Sequence, residues 1–178
     1  MSDSNDELLT RAALAKREDR FADAKQDLIE AIAVRRQQSA GADLAQTLRL
    51  LGEVERRLRN SAAAREHYEE AVALYRGGDD TLALAHTVRH LGDVHHDAGH
   101  SELAEPCYRE ALELYRSQPQ ASTLDVANAI RSMAVLKSEA GEVEQARMLW
   151  EEARGLYAQV QIAEGVAECS RRLAHLAG

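Results

Sequence analysis

The chain repeats itself. Leu44 to Arg76 reads LAQTLRLLGEVERRLRNSAAAREHYEEAVALYR and Leu84 to Arg116 reads LAHTVRHLGDVHHDAGHSELAEPCYREALELYR, and the two align without a gap at a shift of forty residues. The alignment pairs Leu51 with Leu91, Gly52 with Gly92, Ala64 with Ala104, Tyr68 with Tyr108, Ala71 with Ala111 and Tyr75 with Tyr115. A third copy, VANAIRSMAVLKSEAGEVEQARMLWEEARGLY, follows at a shift of forty-two and sets Met133, Ala134, Ala146, Trp150, Ala153 and Tyr157 in the same slots. Shifted back by forty, the N-terminal segment supplies Ala12, Ala24, Leu28 and Ala31. The final IAEGVAECSRRLAHLAG carries only the first half of the unit, with Leu173 and Ala174 in the paired slots. Such a chain presents one kind of apolar face several times over, a need that stacked units meet.

Each unit is expected to be a helix hairpin. Apolar residues recur at three and four, as in Leu44, Leu48 and Leu51 and in Tyr68, Val72 and Tyr75, which is the helical period. Only one Phe and one Trp are present, and the abundance of Ala, Leu, Glu and Arg is a helix-forming alphabet. Turn signals at Asn60-Ser61, Gly99-His100-Ser101 and Gly141 split the units into halves. Longer polar connections, Ser39 to Asp43, Gly77 to Thr81 and Ser117 to Thr123, separate one unit from the next. Asp43 and Asp80 are expected as N-caps, and Ser122 with Asp125 resembles a capping box. Pro106 should remove one backbone bond near a helix start, and Gly155 should cost about 1 kcal/mol relative to Ala if exposed.

Small residues at fixed slots carry the packing. Gly52, Gly92 and Ala134 fall on the first helix and Ala64, Ala104 and Ala146 on the second, so the backbones can approach while Tyr68, Tyr108 and Trp150 fill the space between hairpins. A large apolar residue, then Leu-Gly, then Ala, an aromatic and Ala closely resembles the tetratricopeptide repeat, in the longer variety found in kinesin light chains and many bacterial regulators. Two slots depart from that pattern. The aromatic usual three residues after Gly is Glu55, His95 and Lys137, and the Pro usual at the unit's end is replaced by Arg76, Arg116 and Ala158. The resemblance implies an all-α, right-handed solenoid of about four hairpins, over residues 5–40, 43–78, 80–118 and 122–160, with a capping helix over 162–177.

Charge and cysteine content narrow the function. A formal charge of −8 disfavours nucleic acid as a partner. No apolar run approaches membrane-spanning length, and MSDSNDELL lacks the features of a signal peptide, so the cytoplasm is the expected location. Cys107 and Cys169 match no disulfide framework and are read as free thiols. Nineteen Arg against three Lys suggests GC-rich coding, which associates with a bacterial source.

Five of the seven histidines fall between His86 and His100. At about 100° per residue His86, His90 and Asp93 share a face, His95 points away, His96 lies near the edge and His100 falls beyond the helix end. HxxxHxxD could offer a metal two imidazoles and a carboxylate. Zinc usually takes a third or fourth protein ligand with supporting contacts, and no spacing here provides them. Solvated polar surface is therefore the expected role, and no metal or cofactor is expected.

The resemblance places the first helices on a concave surface. The residue after the large apolar slot is then Arg49, Arg89, Arg131 and, on the terminal helix, Arg171. Such a ladder suits carboxylates on a peptide. Internal pairing competes with that reading: Arg49 has Glu53 and Arg89 has Asp93 at i+4, whereas Arg131 faces Val135 and Arg171 faces His175. Around the ladder the same face offers Gln46, Glu53, Arg56, His86, His90, Asp93, Asn128 and Ser132. No phosphate loop or GxSxG motif appears, so catalysis is not expected. The expectation is a non-enzymatic scaffold binding a peptide segment of another protein; the alternative is a module whose groove or terminal face holds another copy of itself.

Overall fold

The structure, a computed structural model, describes residues 2–38 and 41–176. Among the described residues it contains nine helices and no strand: α1 (Ser2–Arg17), α2 (Phe21–Gln38), α3 (Gly41–Arg57), α4 (Ser61–Arg76), α5 (Thr81–Asp97), α6 (Ser101–Ser117), α7 (Thr123–Glu139), α8 (Val143–Gln159) and α9 (Ala163–Leu176). The odd-numbered helices are the first halves of the repeat and the even-numbered ones the second halves. Part of the expected connection between the first two units, residues 39 and 40, and the last residue of the expected cap, 177, lie outside the described residues.

The chain is an α-solenoid. Every helix packs on its neighbours in sequence, and α3 also touches α5 and α5 touches α7. The first helices thus converge on one wall. The second helices are spanned instead by long side chains: Arg36 pairs with Glu70 at 2.8 Å, Arg76 with Glu110 at 2.8 Å and Arg116 with Glu152 at 3.1 Å. One cation from each hairpin meets one anion from the next. These exposed pairs contribute at most about 1 kcal/mol each, but their recurrence fixes the same stacking register three times.

Glycine at 52 and 92 is explained by what lies on it. A Cβ at Gly52 would meet the Tyr68 ring at 3.0 Å, and one at Gly92 the Tyr108 ring at 2.7 Å. The aromatic therefore lies on the backbone of its own hairpin as well as reaching the next, where Tyr68 joins Val94 of α5. In the fourth hairpin Ala134 and Trp150 take the two slots, both fully buried, and the Trp150 indole donates to Ser138 Oγ at 2.9 Å. The slot expected to hold an aromatic is filled by buried polar groups that find partners on the preceding hairpin. Glu55 of α3 pairs with Lys25 of α2 at 2.8 Å, and Lys137 of α7 with Glu105 of α6 at 3.0 Å. The signs are opposite.

The halves of each hairpin, and the fourth hairpin and α9, join through one kind of turn. Asp19, Arg59, Gly99, Gly141 and Gln161 all have positive φ, between 56° and 79°. After each, a backbone N–H reaches back five residues, as Asn60 N–H does to the Glu55 carbonyl at 2.9 Å and His100 N–H to that of His95 at 2.9 Å. These are Schellman closures that satisfy the last carbonyls of one helix where the next begins.

Asp80 caps α5, accepting from Ala83 N–H at 2.9 Å, and Ser122 caps α7, accepting from Asp125 N–H at 3.2 Å. Asp43 does not cap α3. The helix starts at Gly41 and Asp43 sits in its first turn, where its carbonyl accepts from Thr47 Oγ1 at 2.9 Å and from the buried Arg35. Pro106 lies inside α6, which continues through it, and Gly155 on α8 is exposed with open space around its Cα.

Candidate functional site

The histidine stretch on α5 builds a buried network around one carboxylate. Asp93 is 8 % exposed. Its Oδ2 accepts from Arg89 at 3.1 Å and from His90 Nδ1 at 3.2 Å, and its Oδ1 from the Tyr108 hydroxyl of α6 at 3.1 Å and from Ser132 of α7 at 3.3 Å. Arg56 of α3 adds a contact at 3.5 Å while donating to Asp97 at 2.6 Å. Asp93 thus ties three successive hairpins together.

The remaining bonds fix the imidazole protons. His90 Nε2 accepts from Arg89 at 2.9 Å and faces His86 Nε2 at 3.1 Å, while the Tyr115 hydroxyl approaches His86 Nδ1 at 3.4 Å. The donors and acceptors match when both rings are neutral, His90 protonated on Nδ1 and His86 on Nε2, with Arg89 and His86 sharing the single lone pair of His90 Nε2. Burial, with the nearby charges of His90, Arg89 and Arg49, lowers His86 to about 3, and burial lowers His90 too. For Asp93 burial opposes ionisation, yet the His90 hydrogen bond and the Arg89 and Arg56 charges hold the carboxyl at about 2.

This corrects the expectation of a solvated polar face. His90 and Asp93 are largely buried, and the ring nitrogens are spent on each other, on Arg89, on Asp93 and on Tyr115. Among the described residues no group of three or more His, Cys, Asp or Glu side chains is arranged to hold a metal. His95 does point away, into the buried slot beside Glu69 and Arg65 of α4.

Two of the four ladder arginines, Arg89 and Arg131, are spoken for. Arg89 serves Asp93 and His90. Arg131, which has no partner on its own helix, makes a bidentate pair with Glu168 of α9 at 2.7 and 2.9 Å. Arg171 is exposed on α9. Arg49 does not pair with Glu53, because Lys16 of α1 takes that carboxylate at 2.7 Å. Asn128 accepts from the Tyr157 hydroxyl at 2.7 Å, and Ser132 belongs to the Asp93 network.

Two cavities open along the wall of first helices, between α3 and α5. One, of about 470 Å³, is lined by Gln46, Arg49, Tyr75, His86 and the carboxylates Asp43 and Asp80. The other, further along the same two helices, is about 650 Å³ and is lined by Glu53, Arg56, Arg57, Arg59, His90 and Asp97. Sequence reasoning missed the tyrosines. Tyr75, Tyr115 and Tyr157 each follow the polar residues Gln46, His86 and Asn128 by twenty-nine positions, a spacing that was visible but reads as core until the two helices are folded together.

A profile of the tetratricopeptide repeat matches residues 7–77 and 43–117, more than half of the chain. The chain belongs to the tetratricopeptide repeat family. These repeats form protein-interaction modules that are in general non-catalytic. Among the many solved structures that resemble this tetratricopeptide repeat protein, two serve as examples. One is BtubC (BKLC) from P. vanneervenii, 20% identical with a TM-score of 0.74 over 96% of this chain and 78% of that one. The other is the apo form of RapI, 8% identical with a TM-score of 0.86 over 94% of this chain and 60% of that one. At these identities the likeness is one of fold. No curated protein sequence matches significantly, and among the described residues no helix is long and apolar enough to cross a membrane.

Proposed function

We propose that this protein is a non-catalytic scaffold that binds a peptide segment of a partner protein along the wall of first helices. The observation that carries this reading is the trough between α3 and α5, where the cavities of about 470 and 650 Å³ succeed each other along the helix axes. Its walls hold arginines, carboxylates, an amide and hydroxyls, which can orient a peptide backbone and read its side chains. No nucleophile–base pair lies among the lining residues.

Charge reversal tests the reading. Arg89 is a poor target, because a carboxylate there would face Asp93 in a nearly dry site and the hairpins would part. Arg49→Glu with Arg57→Glu changes the trough more locally, since Arg57 is exposed on the cavity lining and makes no ion pair among the described residues. Affinity capture with the natural protein and with this double variant should differ by the true partner, while Glu152→Arg on the opposite wall retains it. Identical captured proteins from all three baits, each folded by circular dichroism, would remove the trough from the account.

A further inference from the structure

One slot of the repeat supplies the cation that links consecutive first helices. It is Lys16 in the first hairpin, Arg56 in the second and His96 in the third, at constant shifts of forty residues. Each reaches an acid of the next hairpin. Lys16 meets Glu53 at 2.7 Å, Arg56 meets Asp97 at 2.6 Å, and His96 Nε2 meets Glu139 Oε2 at 2.6 Å. Glu139 stands forty-two positions after Asp97 and so fills its slot one copy later. In the fourth hairpin the slot holds Ser138, which is bonded to the Ala134 carbonyl and the Trp150 indole, and Arg131 with Glu168 makes that joint instead. Every joint along the wall of first helices is therefore strapped by an ion pair. Lysine and arginine stay charged near neutral pH, whereas histidine changes charge between about pH 5 and 8.

We infer that the joint between the third and fourth hairpins is a proton-operated hinge: protonated His96 straps α5 to α7, and deprotonation lets the fourth hairpin with α9 swing away from the wall of first helices. The pivot lies on the opposite side. There Arg116 holds Glu152 at 3.1 Å, and Lys137 holds Glu105 at 3.0 Å, pairs that keep their charge. The other polar contacts from α7 to α5 are Ser132 on Asp93 at 3.3 Å and Asp125, 4.0 Å from the His86 ring, which burial keeps neutral. On its own helix His96 is flanked by Asp93 and Asp97, both engaged by Arg56 of α3, and His100 lies at the turn beyond. Among the described residues Glu139 is the one charged side chain within ion-pair distance of His96, and none from α6 reaches it. A neutral ring still donates one hydrogen bond, but without the charge that makes the strap stronger than an ordinary contact. The His96 and Glu139 side chains are 22% and 58% exposed, so the proton exchanges freely with solvent. Arg131 keeps α9 on the fourth hairpin through Glu168, and the two move as one block. This inference holds whatever the wall of first helices binds.

Residual dipolar couplings of the α5 and α7 amides, measured on the full chain at about pH 5 and about pH 8, give the angle between the two helices. The natural protein should show different angles at the two values. H96R, which copies the strap of the second hairpin, should hold the low-pH angle at both, and H96Q the high-pH angle at both. A double-mutant cycle between His96 and Glu139 reads the strap itself, and the titration of other groups cancels in it. Its coupling should change the unfolding constant about threefold at the lower pH and shrink toward none at the higher. One angle at both pH values, a pH-dependent angle that persists in H96Q, or equal coupling at both pH values would overturn the hinge.

Discussion

Asp93 receives hydrogen bonds from four residues on α5, α6 and α7 and an ion-pair contact from Arg56 on α3. Helical spacing alone brought His86, His90 and Asp93 onto one face, and that part was legible. What it could not show is that Tyr108, Ser132 and Arg56 arrive from other helices, which turns a face read as solvated into a buried hub. The hub makes stability depend on pH. His86 is held at about 3 in the fold against an ordinary value near 6.5, facing Arg89 and His90 on α5, Arg49 on α3, Tyr115 on α6 and Asp125 on α7. The unfolded chain binds the proton more readily, so this contribution is present above about pH 6.5 and is lost as pH falls toward 3. Asp93, itself depressed, still contributes until the pH drops below its ordinary value of 3.8. Urea midpoints should therefore fall between pH 7 and pH 5, and His86→Gln should flatten that slope. Equal slopes in both proteins would show that His86 is not the titrating group.

At the scale of the element, the five Schellman turns are the clearest lesson in what a sequence announces. Gly99 and Gly141 marked their turns because glycine takes positive φ without strain. Asp19, Arg59 and Gln161 occupy the same conformation at 56°, 64° and 60° with side chains that gave no such notice. The helix pairs force them there. Left-handed backbone costs a residue with a Cβ about 1 kcal/mol or more, so Arg59→Gly should stabilise the protein by about 1 kcal/mol and Gly99→Ala should destabilise it by a similar amount. Opposite shifts in melting temperature are the expected readout; shifts of one sign for both would refute the strain account. The misplaced cap at Asp43 has a related cause: Arg35 of α2 reaches the Asp43 carbonyl, a tertiary contact that holds the first turn and that local propensity does not contain.

For the whole molecule, repetition made the solenoid readable almost in full, since apolar and small slots recur at constant shifts. Charge pairing between hairpins was not readable, because partners such as Arg36 and Glu70 or Arg131 and Glu168 lie thirty-four or more positions apart. That pairing leaves α9 well anchored. It buries Cys169 completely, sets Gly165 under the Tyr157 ring where a Cβ would fall at 2.5 Å, holds Arg131 through Glu168 and lays Arg172 over Trp150 at 5.8 Å. Deleting residues 162–178 should cost about 3 kcal/mol and raise binding of an apolar dye, as for a solenoid stripped of its end unit. An unchanged denaturation midpoint would mean that α9 is dispensable to the array.

Near-identical building blocks carry a hazard, for any block can dock on the wrong neighbour during synthesis or refolding. The opposed salt links at Lys25–Glu55 and Glu105–Lys137 guard against it. Were the fourth block to settle on the first, ammonium would confront ammonium in a partly buried seam; were the second to settle on the third, carboxylate would confront carboxylate. Either mistake leaves like charges pressed together, so the order of assembly is proofread by electrostatic repulsion.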